Sequence, residues 1–557
     1  MKNYKLNEVR DIKRIREMME VAVKEDGDKL AFRFKKGDEI AEVTYKEFYQ
    51  DTESLYTAIR NLNVGDAHIA VIGNNSYEWL TVYLTMLQSN NILVPVDREL
   101  PVKDIINVLK HSDSEVLFLG EKYEKYVDEI KEAIPAIKYF IGIDKAEDDD
   151  KILSYQKFLA KGRKLVEAGE DSFKKVVQDE NDVRLIVYTS GTTGVAKGVM
   201  LTEHNLMSVA YYGLQVADIY DVSLSVLPYH HTYEAVAGII LSLFTHGTIC
   251  INDSIKNVLP NIQLFKPEHI YLVPAFAEVF YKKIWASARS TGKDKVLKIL
   301  IKVSNGLRKV GIDLRHVLFK SVTKNFGGNL KEIIVGGAPV RPEIGKFFND
   351  IGITLLVGYG ITECSPLVSV NRIKFNDPAT VGTILPCCEV KLIDETEDGI
   401  GEICVKGDIV MKGYYKDEKR TKDVLDEEGW FKTGDFGYVN KRGQLVITGR
   451  KKNIIVLDNG KNVYPEEIEN YLLGIPYVKE VIVKGKKNEH GMNGSTLCAE
   501  FYLDPEQNKD KSKEEIQEML KNDVREACKD LPIYKKVSDV EIREKEFNKT
   551  TTNKIKR

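Results

Sequence analysis

A loop rich in glycine and hydroxyl residues constrains the fold of this chain more than any other feature. Residues 188–199 read YTSGTTGVAKGV, and they follow the apolar residues 185–187, which are typical of a buried strand. Val199, the last residue of the string, and Met200, which follows it, form another apolar pair. Small residues let a backbone close around an anion, with its N–H groups pointing at phosphate oxygens. The string therefore predicts a buried strand that leads into a polyphosphate-binding loop.

The side chains of this loop supply further groups that suit a phosphate. Hydroxyls donate hydrogen bonds to phosphate oxygens, and a lysine adds a positive charge. A Walker-type loop is excluded, because Lys197 lies between Ala196 and Gly198, whereas that motif ends in Gly-Lys-Ser/Thr. A plain turn between two strands remains the alternative. The candidate phosphate-binding residues are Ser190, Gly191, Thr192, Thr193, Gly194 and Lys197.

Length and composition indicate the class of protein. A chain of 557 residues is too long for one core and predicts two to four domains or subdomains. The seven cysteines include no C-x-x-C pair, which favours reduced thiols in the cytoplasm over a zinc site or a disulfide framework. The longest apolar run, residues 235–244, is about half of the roughly 20 residues that a membrane helix needs. We therefore expect a soluble, cytoplasmic enzyme.

Strands and helices alternate along the first part of the chain. Residues 69–72 form a short apolar run typical of a strand, and residues 76–87 have a helical pattern. Such alternation predicts parallel sheets flanked by helices. We predict an α/β fold whose large N-terminal domain, residues 1–448, includes a β-rich subdomain at about 385–448. A small, mobile α+β domain is expected at residues 449–557.

Six further motifs accompany the loop. Each alone is compatible with an ordinary turn or a polar tail. Together, and in this order, they resemble the motifs of the adenylate-forming superfamily, which includes acyl-CoA synthetases, luciferases and the adenylation domains of peptide synthetases. They are LPYHHTYE at 227–234, GGAP at 336–339, GYGITE at 358–363, TGD at 433–435, ITGRKKNIIV at 447–456 and FNKTTTNKIKR at 547–557.

The resemblance implies a site for ATP. It assigns stacking on adenine to Tyr359, because a nucleobase has a π face to cover, and hydrogen bonding to the ribose hydroxyls to Asp435 and Arg450. An ionised carboxylate such as Asp435 is a natural acceptor for hydroxyls. The remaining residues implied for the nucleotide site are Gly360 and Thr362 of GYGITE and Gly337, Ala338 and Pro339, which would line the adenine and acyl pockets.

The resemblance also implies catalytic roles. Glu363 and Thr189 would hold Mg²⁺, a hard cation that prefers oxygen ligands. Lys554 would enter the active site for adenylation, although Asn548 and Asn553 stand where the family commonly has proline and glycine. Lys452 corresponds to the hinge about which the C-terminal domain rotates. His231 would lie beside the carboxylate-binding pocket, and a structural role for it remains open.

The implied reaction is the activation of a carboxylic acid with ATP, followed by acyl transfer to CoA. Residues 94–101 (VPVDRELP) and 460–469 (GKNVYPEEIE) resemble bacterial long-chain acyl-CoA synthetases, which implies a fatty acid substrate. Three alternatives stay open: transfer to an acyl carrier protein, a luciferase-like monooxygenase, and a non-catalytic nucleotide-binding protein. No nucleic-acid partner is expected.

Residues 281–330 are strongly basic. They contain twelve Lys and Arg but only Asp294 and Asp313 as acids, a local balance of +10. An apolar helical face is predicted among the lysines. This pattern suggests peripheral contact with the inner face of a membrane, and a core-packed helix with a solvated basic side is the alternative. The face comprises Val296, Leu300, Val303, Leu307 and Val310, and the lysines are Lys293, Lys295, Lys298 and Lys302.

Overall fold

The computed structural model describes residues 3–189, 196–458, 461–487, 493–509, 512–549, 555 and 557. They form a mixed α/β structure with a large N-terminal domain and a small C-terminal domain, as predicted. The strands are β1 (Leu30–Lys36), β2 (Glu39–Thr44), β3 (His68–Ile72), β4 (Ile92–Pro95), β5 (Val116–Leu119), β6 (Tyr139–Gly142), β7 (Leu153–Ser154), β8 (Val183–Thr189), β9 (Lys197–Thr202), β10 (Val222–Ser225), β11 (Thr248–Ile251), β12 (His269–Leu272), β13 (Glu332–Val335), β14 (Thr354–Tyr359), β15 (Ser369–Val370), β16 (Gly382–Ile384), β17 (Cys388–Ile393), β18 (Gly401–Gly407), β19 (Gly413–Tyr414), β20 (Phe431–Val439), β21 (Gln444–Arg450), β22 (Ile455–Val456), β23 (Asn462–Val463), β24 (Val478–Lys487), β25 (Asn493–Leu503) and β26 (Val537–Arg543).

Helices cover the sheets, and several begin at the capping residues that their sequences predict. Thr202 and Asn205 form a reciprocal capping box at the start of α8. The helices are α1 (Ile15–Asp26), α2 (Tyr45–Arg60), α3 (Tyr77–Leu87), α4 (Val102–His111), α5 (Glu121–Glu124), α6 (Val127–Ala133), α7 (Tyr155–Glu167), α8 (Glu203–Val216), α9 (Leu241–Phe244), α10 (Val258–Phe265), α11 (Pro274–Ser290), α12 (Asp294–Lys309), α13 (Arg315–Leu318), α14 (Lys320–Thr323), α15 (Pro342–Ile351), α16 (Glu418–Val424), α17 (Pro465–Leu472), α18 (Pro505–Asn508) and α19 (Lys513–Ala527).

The larger sheet joins the α/β part of the chain to the β-rich part. Its thirteen strands have the order β17-β18-β20-β21-β16-β15-β14-β13-β12-β10-β11-β1-β2. Neighbouring strands from β14 to β1 are parallel, and those from β14 to β17 are antiparallel. The parallel strands are short and apolar because helices bury both of their faces. Their carboxyl ends therefore meet at one edge of the sheet.

The smaller sheet has the order β19-β9-β8-β4-β3-β5-β6-β7. Strands β4, β3, β5, β6 and β7 are parallel, whereas β8 and β9 form an antiparallel pair. The two-residue strand β19 comes from the β-rich part of the chain and pairs with β9. This pairing attaches the β-rich part to the smaller sheet as well.

The long apolar run at residues 235–244 is a buried helix that contacts strands of the larger sheet. It consists of a π-helix, Tyr233–Ile240, that continues into α9. A π-helix is rare and usually short, and it is often found at functional sites. Within the described ranges, no helix is long and apolar enough to cross a lipid bilayer.

The C-terminal part of the chain has its own core. Strands β24, β25 and β26 form a three-stranded sheet, against which α17 and α19 bury a separate apolar cluster. The predicted domain boundary at residue 449 lies inside β21, whose last residue is Arg450. Because β21 pairs with β20 along its length, the chain leaves the large domain only after Arg450.

Candidate functional site

The predicted site residues come from three places in the fold. One is the turn between β8 and β9 in the smaller sheet, and another is the carboxyl edge of the parallel strands in the larger sheet. The third is the pairing of β20 with the end of β21, where Asp435 lies opposite Arg450. In open α/β sheets ligands bind at the carboxyl ends of strands, so this arrangement favours a ligand site.

The predicted phosphate loop is framed by a two-stranded hairpin. Thr189 ends β8, Lys197 begins β9, and the two residues are partners in the antiparallel register. Residues 190–195 lie outside the described residues, and with them the predicted phosphate contacts of Ser190, Gly191, Thr192, Thr193 and Gly194. Because Thr189 and Lys197 are paired, the two ends of this loop lie side by side.

The GYGITE segment turns sharply after β14. A side chain at Gly360 would place its Cβ 1.5 Å from the carbonyl oxygen of Pro366, so only glycine fits there. Thr362 and Glu363 then lie in a 3₁₀ turn, Thr362–Cys364. The glycine therefore allows the chain to fold back and bring the Glu363 carboxyl towards the smaller sheet.

Tyr414 connects this carboxyl to the phosphate-loop hairpin. Its hydroxyl donates a hydrogen bond of 2.9 Å to Oε1 of Glu363. The ammonium of Lys197 lies 4.9 Å from the centroid of the same ring, within the range of a cation–π contact. Burial, and then the charge of Glu363, raise the pKa of Tyr414 well above its usual range, so it stays a donor. Sequence reasoning missed Tyr414, although its place after Gly413 in an aromatic pair was visible.

Asp435 is the centre of a second cluster. Its buried carboxylate accepts a hydrogen bond of 2.8 Å from the hydroxyl of Tyr359 at Oδ2. Nε of Arg450 lies 3.1 Å from Oδ1, because Asp435 and Arg450 are register partners across β20 and β21. Each carboxylate oxygen has a second lone pair, so ribose hydroxyls can still bind there. Stacking of Tyr359 on adenine stays a prediction, and its side chain is 8% exposed.

The GGAP segment follows β13 at the same edge of the larger sheet. Gly337, Ala338 and Pro339 are exposed, and Gly337 has a φ of +82° that favours glycine. Beside them, a Cβ at Gly336 would lie 3.1 Å from the ring of Tyr233. The absence of side chains therefore lets the first turn of the π-helix approach the strand closely.

His231 lies in the loop between β10 and the π-helix. Its ring is half-buried, with its centroid 4.1 Å from that of His230. His230 is buried, and its Nε2 lies 3.3 Å from Oδ1 of Asp97. Burial, and then the neighbouring His231, lower the pKa of His230 well below its usual range, so His230 is neutral at pH 7. The structure thus gives His230 a structural environment and leaves a substrate role for His231 as a prediction.

Glu234 anchors this histidine loop from the π-helix. Its fully buried carboxyl accepts hydrogen bonds from the Ser225 hydroxyl at 2.6 Å and the Leu227 amide at 3.2 Å. Burial raises the pKa of Glu234 to about 8, more than these hydrogen bonds lower it. Sequence reasoning missed this residue because a glutamate in an apolar helix gives no signal of its partners.

Lys452 lies just beyond β21, in the 3₁₀ turn Lys451–Asn453. Burial, and then the charges of Arg450 and Arg557, lower its pKa. Arg557 is the last residue, and it pairs with Glu466 at 3.6 Å and with Glu469 at the start of the C-terminal domain. The end of the chain therefore lies near the predicted hinge. Lys554 falls outside the described residues.

The donor set around Glu363 fits magnesium bound together with a phosphate ligand. Within the described residues there is no group of three or more His, Cys, Asp or Glu side chains that would hold a metal on their own. Mg²⁺ usually keeps several waters and binds through one or two carboxylates plus substrate phosphates. Glu363 supplies one such carboxylate, and Mg²⁺ binding by Glu363 and Thr189 stays a prediction. The protein alone would hold the ion weakly.

The described fold is shared with enzymes solved as adenylate complexes. The anthranilate CoA ligase in complex with anthranoyl-AMP matches with a TM-score of 0.78 and 18% identity, covering 97% of this chain and 95% of that chain. At this level of identity the likeness shows the fold. The chain belongs to the AMP-binding enzyme family, whose model matches residues 19–415, and the model of the AMP-binding enzyme C-terminal domain matches residues 452–557.

Three relatives have names that specify a substrate. The peroxisomal long chain acyl-CoA synthetase 7 of Arabidopsis thaliana is 28% identical over 84% of this chain and 69% of its own length. The long-chain-fatty-acid–CoA ligase 5 of Rattus norvegicus is 30% identical over 84% of this chain and 72% of its own length. A chloroplastic long-chain-fatty-acid–[acyl-carrier-protein] ligase of Arabidopsis thaliana is 28% identical over 83% of this chain and 73% of its own length.

Proposed function

We propose that this protein activates a long-chain fatty acid with ATP and transfers the acyl group to CoA. The first step joins the carboxylate to the α-phosphate, forming an acyl-adenylate and releasing pyrophosphate. In the second step the CoA thiol attacks the acyl carbon, AMP leaves, and a thioester forms. The observation that carries this proposal is the connection of Lys197 to Glu363 through Tyr414, next to the cluster of Asp435, Tyr359 and Arg450.

The site chemistry agrees with adenylation. A carboxylic acid is ionised near neutral pH, so it needs no general base. It must instead approach an anionic triphosphate, which requires cations and hydrogen-bond donors. We propose Lys197 and the loop at residues 190–194 for the β- and γ-phosphates and Lys554 for the carboxylate and α-phosphate. Mg²⁺ held by Glu363 and Thr189 would neutralise phosphate charge.

The nucleoside would be held by the second cluster. Asp435 would accept the ribose hydroxyls, with Arg450 fixing the carboxylate through the contact at 3.1 Å. Tyr359, Gly360 and Thr362, with the exposed Gly337–Pro339 segment, would surround the adenine. His231 would lie at the mouth of the carboxylate pocket, in the loop anchored by Glu234.

The second step requires space for the thiol. If Lys554 occupies the adenylation site, it has to leave before CoA can reach the acyl carbon. Rotation of the C-terminal domain about Lys452 would remove it, and such domain motions commonly separate the steps of a reaction. The position of Lys452 directly after β21, where the chain leaves the larger sheet, supports this role.

The names of the relatives support a long-chain fatty acid. The names differ in the acceptor of the acyl group: two relatives are named for CoA and one for acyl carrier protein. We propose CoA as the acceptor. The resemblance of residues 94–101 and 460–469 to bacterial long-chain acyl-CoA synthetases points the same way.

An ATP–pyrophosphate exchange assay with a panel of carboxylic acids tests the first step. We expect exchange that requires Mg²⁺ and is fastest with long-chain fatty acids. Absence of exchange with every acid would instead support a non-catalytic nucleotide-binding protein. A preference for a short or aromatic acid would retain adenylation and reject the long-chain substrate.

A competition assay identifies the acceptor. The enzyme is loaded with acyl-adenylate and offered CoA and phosphopantetheinylated acyl carrier protein together. We expect acyl-CoA to form first and the carrier to compete poorly. Acyl transfer to the carrier in the presence of excess CoA would favour the alternative acceptor.

A further inference from the structure

Exposed apolar side chains are concentrated in one short part of the chain. Of nineteen large apolar residues that are exposed in the described structure, seven lie between residues 296 and 317. Scattered single apolar residues are normal on a protein surface, but a cluster indicates an interaction site. The seven are Val296, Ile299, Val303, Val310, Ile312, Leu314 and Val317.

Helix α12 has apolar residues on two adjacent sides, one buried and one exposed. Leu297 and Ser304 are buried towards α15, and Leu300 is partly buried in the same core. Val296, Ile299 and Val303 follow one another at spacings of three and four residues and are 51%, 59% and 49% exposed. This spacing places them on a single outward stripe of the helix.

The outward stripe differs from the apolar face predicted from the sequence. That face combined Val296, Val303 and Val310 with Leu300 and Leu307. In the structure Leu300 packs against the core, Leu307 is half-buried and the three valines are exposed. One side of α12 therefore packs against the core, as the alternative interpretation expected. A second apolar side of the same helix is exposed.

Lysines flank the outward stripe. Lys295, Lys298, Lys302 and Lys309 are exposed on α12. None of these four forms an ion pair with an acid in the described part of the chain, and Lys298 lies 5.8 Å from the Trp285 ring. Asp313, one of two acids between residues 281 and 330, is already paired with Arg315 at 2.7 Å. Asp294 is the other acid of this segment, and Arg308 lies 3.9 Å from Asp350, so the net charge of the surface stays strongly positive.

We infer that this basic apolar surface, residues 293–320, docks the protein on an anionic lipid surface. Apolar side chains enter the boundary between headgroups and acyl chains, while lysines lie at the level of the anionic headgroups. A nucleic acid would use the lysines but leave the valines and isoleucine in water. An acidic protein is a different class of partner, and the vesicle-binding experiment below distinguishes it from lipid.

This inference rests on the proposed function, because docking on lipid would bring the enzyme to a long-chain fatty acid dissolved there. The fold adds a connection between this surface and the candidate site. Helix α11 begins directly after β12, at the carboxyl edge of the larger sheet, and leads to α12. Its 17 residues span about 25 Å at 1.5 Å per residue, and α12 packs back against it, with the Lys298 ammonium 5.8 Å from the Trp285 ring.

Vesicle sedimentation of the full chain tests the inference. Vesicles of phosphatidylcholine alone are compared with vesicles of phosphatidylcholine and phosphatidylglycerol in equal parts, at low and at high salt. We expect the protein to sediment only with the anionic vesicles and to be released by salt, which screens surface charge. A protein that stays in the supernatant at low salt, or that binds both vesicles equally, overturns the inference.

The charge contribution is measured with the triple variant Lys295→Gln, Lys298→Gln and Lys302→Gln. Each lysine near an anionic surface contributes roughly fivefold to partitioning, so we expect binding about 100-fold weaker. Unchanged binding overturns the inference. The matched control removes three exposed lysines elsewhere and is expected to bind within about threefold of wild type. It carries Lys103→Gln, Lys110→Gln and Lys161→Gln.

The apolar contribution is measured with the variant Val296→Ser, Ile299→Ser and Val303→Ser. We expect at least tenfold weaker binding to anionic vesicles, since insertion depends on buried apolar area. Binding equal to wild type would mean a purely electrostatic contact and would reject the proposed insertion. The control is Val177→Ser with Ile533→Ser, two residues that are 85% and 88% exposed elsewhere.

Pyrophosphate exchange, measured in detergent with each variant, separates this inference from the proposed function. We expect all variants to exchange at the wild-type rate, which also reports that they fold. Vesicle binding without any exchange would reject the proposed function and keep the surface. Exchange without vesicle binding would reject the surface and keep the function, and it would favour an acidic protein as the partner.

Discussion

The hydroxyl of Tyr359 donates a hydrogen bond of 2.8 Å to the carboxylate of Asp435, 76 residues further along the chain. Tyr359 ends a parallel strand, and Asp435 lies in an antiparallel strand of the same sheet. Burial, and then the nearby Asp435, raise the pKa of Tyr359 well above its usual range, so the tyrosine remains a donor. The contact joins the proposed adenine and ribose subsites into one unit.

Asp435→Ala should weaken ATP binding, because the ribose loses its acceptor. We expect KM for ATP in pyrophosphate exchange to rise about 10- to 100-fold, the equivalent of roughly 1.5–3 kcal/mol for a hydrogen bond to a charged group. Tyr359→Phe is the matched control, since it removes the hydroxyl and keeps the ring and the Arg450 contact. It should raise KM by less than about tenfold. Equal effects of both variants would contradict a direct ribose contact for Asp435.

Glu363→Gln should reduce adenylation through the loss of charge at the proposed magnesium site. We expect kcat for pyrophosphate exchange to fall by about 10²–10³, as for the loss of one electrostatic stabiliser. Tyr414→Phe keeps the carboxylate and loses only the 2.9 Å hydrogen bond, so its effect should be about tenfold or less. Raising the Mg²⁺ concentration should partly restore Tyr414→Phe. Near-normal exchange by Glu363→Gln at ordinary Mg²⁺ would remove Glu363 from the proposed site.

Lys554→Ala and Lys452→Pro should affect opposite half-reactions. Lys554→Ala should abolish acyl-adenylate formation from ATP and still convert supplied acyl-adenylate and CoA into thioester. Lys452→Pro restricts φ at the proposed hinge, so adenylate should form while the thioester lags. The two steps are followed separately by pyrophosphate release and by thioester formation. If Lys554→Ala impairs both steps equally, or neither, the terminal lysine is not the adenylation residue.

Glu234 should make the stability of the protein depend on pH. Burial raises its pKa in the folded protein from the ordinary 4.5 to about 8, so the folded state favours the protonated carboxyl. The stabilisation is complete below the unfolded pKa and is lost as pH rises through the folded value. We expect the free energy of unfolding of wild type, relative to Glu234→Gln, to fall between about pH 5 and pH 8.

Urea denaturation of both proteins across this pH range measures the difference. Other buried acids, such as Glu332, have a raised pKa in both proteins, so their contribution cancels in the comparison. A difference between wild type and Glu234→Gln that is independent of pH would show that the carboxyl of Glu234 titrates normally.

The sequence predicted much of the fold because local patterns report local physics. The alternation of strands and helices indicated parallel sheets, and the strands of both sheets include parallel runs. The GYGITE motif was compatible with a turn, and the 1.5 Å approach at Gly360 shows why glycine is needed there. These features depend on backbone sterics and periodicity within a few residues, which a single sequence displays directly.

Contacts between distant segments could not be predicted from such local patterns. Tyr414 meets Glu363 because the short strand β19 pairs with β9, across 51 residues of sequence between the two side chains. Glu234 holds Ser225 and Leu227 because the π-helix packs beneath them. The apolar face predicted for α12 is likewise divided between core and solvent. Helical periodicity shows which residues share a side of the helix, but it does not show which side a neighbouring element covers.

The sequence by itself thus determined which chemical groups this protein has and where each lies along its strands and turns. The order of its motifs also determined the family. Tertiary structure decided which of those groups meet, as with Tyr359 and Asp435, and which apolar residues remain exposed. The physical reason is that turns and caps are set by short-range sterics, whereas contacts between sheets depend on how whole layers pack.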